Sequence, residues 1–401
     1  MAGLPAQVLQ LTLTSNVHAA RTVGLVINPI AGIGGPAGLK GSDGPDIQAV
    51  AYSKGSRSRS IDRAVNALSM IAATFPDAHI VTAAGQMGAD AVTAAGLTAD
   101  VVYSSRQPST GDDTAAAVTA IAAAGASLLL FVGGDGTARD VASKLPVGLP
   151  MLGIPAGVKM YSACFAVSAS AAGTLATRWI EEPLPVENRE VLDVDEQAIR
   201  TGRVDPHLFA IVRVPFLAGR TQARKSATLA SEAAGVRVAA SGAIATMSPG
   251  TRYLLGPGGT TMEIARQLGL TKTPLGVDVI RDGHVELADA SEQELLNLLT
   301  ESAGPPARAI VTVIGGQGFL LGRGNQQLSA AVLRALGSDP LCVVATEQKL
   351  TALGGRPLLV DTGDRELDTT LSGYIAVTTG VGRTSVYPVH APENEGAHSC
   401  V

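Results

Sequence analysis

Asp135 stands in a turn otherwise built of glycine and threonine, Gly133-Gly-Asp-Gly-Thr137, directly after the apolar run Ser127-Leu-Leu-Leu-Phe-Val132. Glycines such as Gly133, Gly134 and Gly136 at the end of a buried parallel strand let backbone N–H groups approach phosphate oxygens with no Cβ in the way. An aspartate there repels a phosphate unless a metal ion or a reacting hydroxyl sits beside it. Its placement therefore points to a base or a metal partner. Local sequence also allows a plain helix cap, since Asp is favoured at N-caps, and both readings stay open at this point.

Two further segments share this form. Gly153-Ile-Pro-Ala-Gly-Val-Lys-Met160 follows a short apolar run and offers Gly157 in a turn and Lys159, a point charge suited to phosphate if it is not simply solvated. Asn28-Pro-Ile-Ala-Gly-Ile-Gly-Gly35 follows the apolar run Val23–Ile27, and Lys40-Gly-Ser-Asp-Gly44 comes soon after. Three glycine loops on one edge of one sheet describe a crevice for a polyphosphate ligand.

Other residues offer more limited chemistry. After the run Ile310–Ile314, Gly315-Gly-Gln-Gly318 and Gly322-Arg-Gly-Asn325 place Arg323 where it could clamp a phosphate and Asn325 where it could read a base or ribose, or else they form a plain turn. Asp361 and Asp364 could be a carboxylate pair for a metal, or ordinary turn aspartates. In Glu190-Val-Leu-Asp-Val-Asp-Glu196, the spacing of Asp193 and Asp195 puts both on one strand face, and with Glu196 they could hold ribose hydroxyls or a metal, or line a solvated edge. The six histidines show no HxH or HxxxH spacing, which leaves zinc and histidine-centred triads without support. No GxSxG elbow is present, nor a GxGxxG opening the first helix.

The elements that must position these residues are those of an α/β chain. Strand-like runs at Val23–Ile27, His79–Thr82, Val101–Tyr103 and Leu128–Val132 alternate with helical stretches. Ile61, Ala64, Val65, Leu68, Ile71, Ala72 and Phe75 recur at spacings of three and four, one apolar helix face ending before Pro76. A helix is also expected over Ala138–Lys144. The pattern predicts a doubly wound nucleotide-binding unit over 21–180. Glu181-Glu-Pro-Leu-Pro185 breaks any helix. A β-rich second domain is expected over 181–385, with strands at Leu208–Val214, Val236–Ala239 and Val277–Ile280. Residues 306–385 return to α/β texture and could pack back on the first unit, leaving 1–20 and 386–401 as tails.

Composition sets the bounds. The chain has 401 residues, 46% hydrophobic and 16% charged, enough to bury large cores and the reverse of a disordered sequence. A net charge of −5 without a Lys/Arg run argues against nucleic acid or an anionic membrane and for a small-molecule partner. Three cysteines without a CxxC, and no Lys or Arg before Arg21 to open a secretory signal, lead us to expect a cytoplasmic protein with reduced thiols. The uncharged stretch Ala115–Val132 reads as a helix and a buried strand divided by Gly125, not as a membrane span.

Taken together, Gly-Gly-Asp-Gly-Thr after a strand, the Asn-Pro turn and Gly-Ile-Pro-Ala-Gly resemble the superfamily of NAD kinases and diacylglycerol kinases. Gly153–Ser162, Gly256-Pro-Gly-Gly-Thr-Thr261, Gly322-Arg-Gly-Asn-Gln-Gln327 and Val360-Asp-Thr-Gly-Asp364 resemble its ATP-NAD kinase-like subgroup, which includes the acetoin-catabolism protein X. The resemblance implies phosphoryl transfer from ATP, another nucleoside triphosphate or polyphosphate to the 2′-hydroxyl of NAD, with Mg2+ bridging phosphates. It makes Asp135 the base, and it makes Asn28, Gly258, Gly259, Thr260 and Thr261 part of the nucleotide grip. It also implies a homo-oligomer. The Asn-Glu pair and Thr-Ala-Tyr-Ser run of ordinary bacterial NAD kinases are missing, and Met262 and Glu263 follow Thr261 instead. Alternatives are a kinase of a small hydroxylated metabolite and a non-catalytic dinucleotide sensor.

Overall fold

A computed structural model of the chain describes residues 22–39, 45–157, 160–194, 206–217, 233–300 and 304–391. Its first sheet has the strands β1 (Val23–Ile27), β2 (His79–Ala83), β3 (Thr98–Tyr103), β4 (Leu128–Gly133) and β5 (Met151–Pro155), all parallel in the order β3-β2-β1-β4-β5. Helices α1 (Pro45–Ser53), α2 (Ser60–Thr74), α3 (Ala89–Ala94), α4 (Gly111–Ala123), α5 (Asp135–Ala142) and α6 (Ala169–Glu181) accompany it. Every residue of β1, β4 and β5 is buried, as in strands covered on both faces. In α2 the buried Ala64, Ala67, Leu68 and Ile71 recur at the spacing that the sequence predicts. Helix α6 lies close on it because Gly173 has no side chain: a Cβ there would stand 2.3 Å from Ala67 O.

Local signals set the helix starts. Thr110 and Asp113 form a capping box on α4, and Ser168 Oγ accepts Ala171 N–H at the start of α6, contributions of about 1 kcal/mol each. Helix α5 departs from expectation, opening at Asp135 rather than Ala138. Gly134, in extended conformation, makes the reversal by itself and is the N-cap.

Beyond the proline-rich break, β6 (Val186–Val194) and β7 (Pro206–Pro215) form an antiparallel hairpin. Its Val191, Val212 and Val214 are buried in the same core as the first sheet. The first unit thus extends past residue 181 to take in this hairpin. Between hairpin and sheet runs the segment 161–166, tied to β5 by Gly153 N–H to Cys164 O and Ala166 N–H to Gly153 O. Ala163 N–H to Glu190 O and Leu192 N–H to Ser162 Oγ tie it to β6. Phe131 and Phe165 meet at 5.3 Å between ring centres in the space that Gly153 leaves.

The separate C-terminal domain is built on nine strands: β8 (Arg252–Leu255), β9 (Asp278–Arg281), β10 (His284–Leu287), β11 (Ala307–Thr312), β12 (Phe319–Leu321), β13 (Leu341–Val344), β14 (Leu358–Val360), β15 (Gly373–Gly380) and β16 (Arg383–His390). Their order is β10-β9-β8-β11-β13-β15-β16-β14-β12, so residues 306–385 are built into the second sheet, and Phe319 of β12 and Leu359 of β14 pack against the core of the first unit. The stretch Val236–Ala239, expected as a strand, lies inside the helix Ala233–Ala245. The alanines around it favour helix, and Ala239, Ala240 and Ala243 give the buried face while Val238 stays exposed. Gly242 sets this helix directly on β15, since a Cβ would stand 2.4 Å from the carbonyl of Gly380. Among the described residues, no helix is long and apolar enough to cross a membrane.

Candidate active site

Asp135 occupies the first turn of α5, where a negative charge is favoured by the helix dipole. Its carboxylate does not cap the helix. Oδ2 accepts Tyr161 N–H at 2.6 Å and Oδ1 accepts Ser162 N–H at 3.0 Å, from the segment that β5 and the hairpin hold on either side. These two bonds fix the plane of the carboxylate, and the residue is only half-buried. Its charge is felt nearby. Burial first, and then Asp135, push the Tyr161 hydroxyl up to about 12. The same two causes hold the fully buried Cys164 thiol well above its usual value.

The three glycine loops do converge. Asn28 Nδ2 donates to Thr137 Oγ1 at 3.0 Å, and Asn28 Oδ1 accepts Ile30 N–H, which joins the turn after β1 to the first turn of α5. Gly133 O accepts both Ala156 N–H and Gly157 N–H. A Cβ on Gly157 would stand 2.6 Å from Gly134 Cα, and one on Gly32, at φ +77°, 2.0 Å from Ala156 O. Several of these glycines are thus needed for backbone to lie on backbone, which is a different use from the phosphate approach expected of them.

In the second unit, Gly258 (φ 131°) caps the helix Gly259–Gln267, so the expected turn is the start of a helix. Thr260 and Thr261 are fully buried in its first turn; Thr261 Oγ1 donates to Gly258 O, while Thr260 Oγ1 has no hydrogen-bond partner among the described residues. Strand β11 leads from beside Gly258 to the Gly315–Gly318 turn, where Gln317 Nε2 donates to Met160 O next to the Asp135 anchor. Gln326 Nε2 likewise donates to Gly157 O.

Other expected ligands are engaged within the fold. Arg323 is buried, with Nη1 on Asp361 Oδ2 at 2.8 Å, Nη2 on Val167 O and its guanidinium over the Phe319 ring. Asn325 spends both ends of its amide on its own loop, donating to Leu320 O and accepting Gly322 N–H, so it is a turn residue and not a base reader. Asp361 and Asp364 do not form a carboxylate pair. Asp361 is held by Arg63 and Arg323, while Asp364 caps the helix Arg365–Thr370 and pairs with Arg334. Asp193 stands opposite His207 in the backbone register of the hairpin. Lys40, Lys159, Asp195 and Glu196 lie outside the described residues. The sequence reading omitted Arg59 and Arg63, although their spacing of four at the head of an amphipathic helix places them on one face. It also passed over Tyr161 and Ser162, which act through main-chain N–H groups that no residue type announces.

Among the described residues, no group of three or more His, Cys, Asp or Glu side chains comes together to hold a metal ion. A protein-built cage for Mg2+ does not fit. An ion carried on nucleotide phosphates and touched by one carboxylate does, with Asp135 set among the glycine turns.

Residues 23–183 match the family model of the ATP-NAD kinase N-terminal domain, and residues 249–389 match that of the ATP-NAD kinase C-terminal domain. No curated protein matches the chain. Two solved structures, each described provisionally as a diacylglycerol kinase from Bacillus anthracis strain Sterne, are similar at 17% identity. Each match takes in 44% of this chain, with TM-scores of 0.24 and 0.23, and the chain spans 47% and 46% of their lengths.

Proposed function

As a member of the ATP-NAD kinase family, this chain is a kinase-type phosphotransferase, and we propose that it transfers the terminal phosphoryl group of ATP to the 2′-hydroxyl of NAD with Asp135 as the base. The observation that carries the reading is the two-amide grip on the Asp135 carboxylate, which orients a base before any substrate arrives. Phosphoryl transfer asks little of a base beyond position, because most of the catalysis comes from alignment and charge neutralisation.

The hydroxyl oxygen attacks the terminal phosphorus, and the bond to the bridging oxygen breaks. ADP leaves with that electron pair, and Asp135 accepts the hydroxyl proton. Bound with the phosphates beside Asp135, Mg2+ would supply charge neutralisation. Asn28 and Thr137 keep the turn after β1 against the start of α5, and Gln317 ties the second unit to the segment that holds Asp135.

The test offers the purified chain NAD, NADH, small polyols and diacylglycerol, with ATP, GTP or polyphosphate as donor, and follows labelled phosphate. Formation of NADP is expected. Phosphorylation of a lipid or polyol with NAD untouched replaces the acceptor, and no incorporation into any alcohol, with NAD still bound, leaves a sensor.

A further inference from the structure

A second feature borders the glycine turns that carry Asp135. Where the loop after β1, the head of α2 and two loops of the second sheet meet, they form a cleft with a cavity volume of about 40 Å3, open to solvent. Gly32, Pro36 and Gly157 form one side, and Arg59, Arg63 and Arg323 line it together with Asp361. Asp135 is not among the lining residues.

The charged groups that line this cleft are three guanidinium groups and the Asp361 carboxylate, while the buried Asp368 acts on Arg323 from outside the lining. Arg63 Nη1 reaches both oxygens of Asp361 at 2.7 and 2.8 Å, and Arg323 Nη1 reaches Oδ2 at 2.8 Å, so one carboxylate serves two guanidinium groups. Asp361 is nearly inaccessible, and although burial alone would raise its pKa, the two arginines hold the carboxyl below its ordinary range. Arg59 is the third cation. Its side chain is 43% exposed, with Nη1 on Thr362 O and the Glu292 carboxylate at 4.0 Å. Arg323 Nε is enclosed and has no acceptor among the described residues. A groove that shares Arg59, Arg63 and Thr362 continues from the cleft, and its acids Asp62 and Asp364 stand outside the cleft lining.

The exposed guanidinium of Arg59 and the unmet N–H donor of Arg323, lining one cleft with Arg63, offer donors to an anion where low-dielectric walls concentrate their field. We propose that this cleft is a binding site for a phosphate-bearing anion, which Arg59 engages first and the Arg63–Asp361–Arg323 cluster holds against the loop after β1. Guanidinium groups suit this ligand because their planar donors match phosphate oxygens. The anion is either the phosphate tail of the phosphoryl donor or a free phosphate or polyphosphate bound in its own right.

Titration calorimetry of the full chain with tripolyphosphate tests the proposal. Saturable binding is expected, weakened by added salt, reduced about tenfold in Arg59→Ala and further in Arg59→Glu. Arg59 is exposed enough that these variants should keep the fold, which a melting curve checks. Displacement of tripolyphosphate by ATP, with a raised KM for ATP in Arg59→Ala, identifies the donor tail as the ligand; binding that ATP does not displace identifies a free anion. No saturable binding, or wild-type affinity in Arg59→Glu, overturns the site. Because binding is read without turnover, a chain inactive on NAD can pass and an active one can fail.

Discussion

The main-chain N–H of Tyr161 donates to Asp135 Oδ2 at 2.6 Å, so the proposed base is aimed by a neighbouring strip of backbone and not by another side chain. Asp135→Asn removes the basic oxygen while keeping the shape. Turnover should fall at least about a hundredfold, with nucleotide affinity largely kept. One amide N–H would then face the Asn NH2, so a calorimetric melt accompanies the kinetics. Unchanged kcat in a folded Asp135→Asn protein removes Asp135 from the role of base.

Tyr161 gives a readout of the same contact. With its hydroxyl pushed up to about 12, its neutral form is favoured in the folded state. That contribution to stability is complete below the unfolded value of about 10 and is lost as pH rises through the folded one. The phenolate absorbance of the native protein minus that of Tyr161→Phe should rise near pH 12. Asp135→Asn should lower this midpoint only partway, because burial is the larger cause. A midpoint at the ordinary tyrosine value would contradict the packing around residue 161.

Gly157→Ala tests the contact between loops. Its methyl would meet the backbone of Gly134, which cannot swing aside as a long side chain can. A loss of about 1–3 kcal/mol is expected in urea unfolding, together with lower turnover. A variant as stable and active as the parent would show that the two turns are not in contact.

Asp361→Asn should cost more, about 3–5 kcal/mol, because it leaves the buried Arg323 and the half-buried Arg63 without the counter-charge they share. The pH dependence has a definite sign. A carboxyl whose folded pKa is lowered stabilises the fold above its unfolded value near 3.9, and this stabilisation is lost as pH falls through the folded value. The gap in stability between parent and variant should therefore be wide at neutral pH and shrink below about pH 4. A gap independent of pH would mean that the ion pairs contribute nothing.

Much of this could be read from the chain because buried parallel strands carry uninterrupted apolar runs. Val23–Ile27 and Leu128–Val132 identified themselves, and with them the position of Asp135 at a strand end. Val236–Ala239 misled because two β-branched residues outweighed the alanines around them, although helix periodicity was present in Ala239, Ala240 and Ala243. The pairing of Arg63 with Asp361 could not be read, since 298 positions separate partners that only the docking of two sheets brings together. Nor could the work of Gly32 and Gly157, because a glycine that admits a ligand and one that admits another loop are the same letter.

The β6–β7 hairpin has a practical consequence for anyone dissecting or recombining this protein. It follows the proline break, yet Val191, Val212 and Val214 close the first hydrophobic core and its backbone braces the strip that aims Asp135. A fragment cut at the prolines would lose one wall of its interior and the brace for its acid, so a working N-terminal module, or a crossover point for chimaeras, has to carry the hairpin with it.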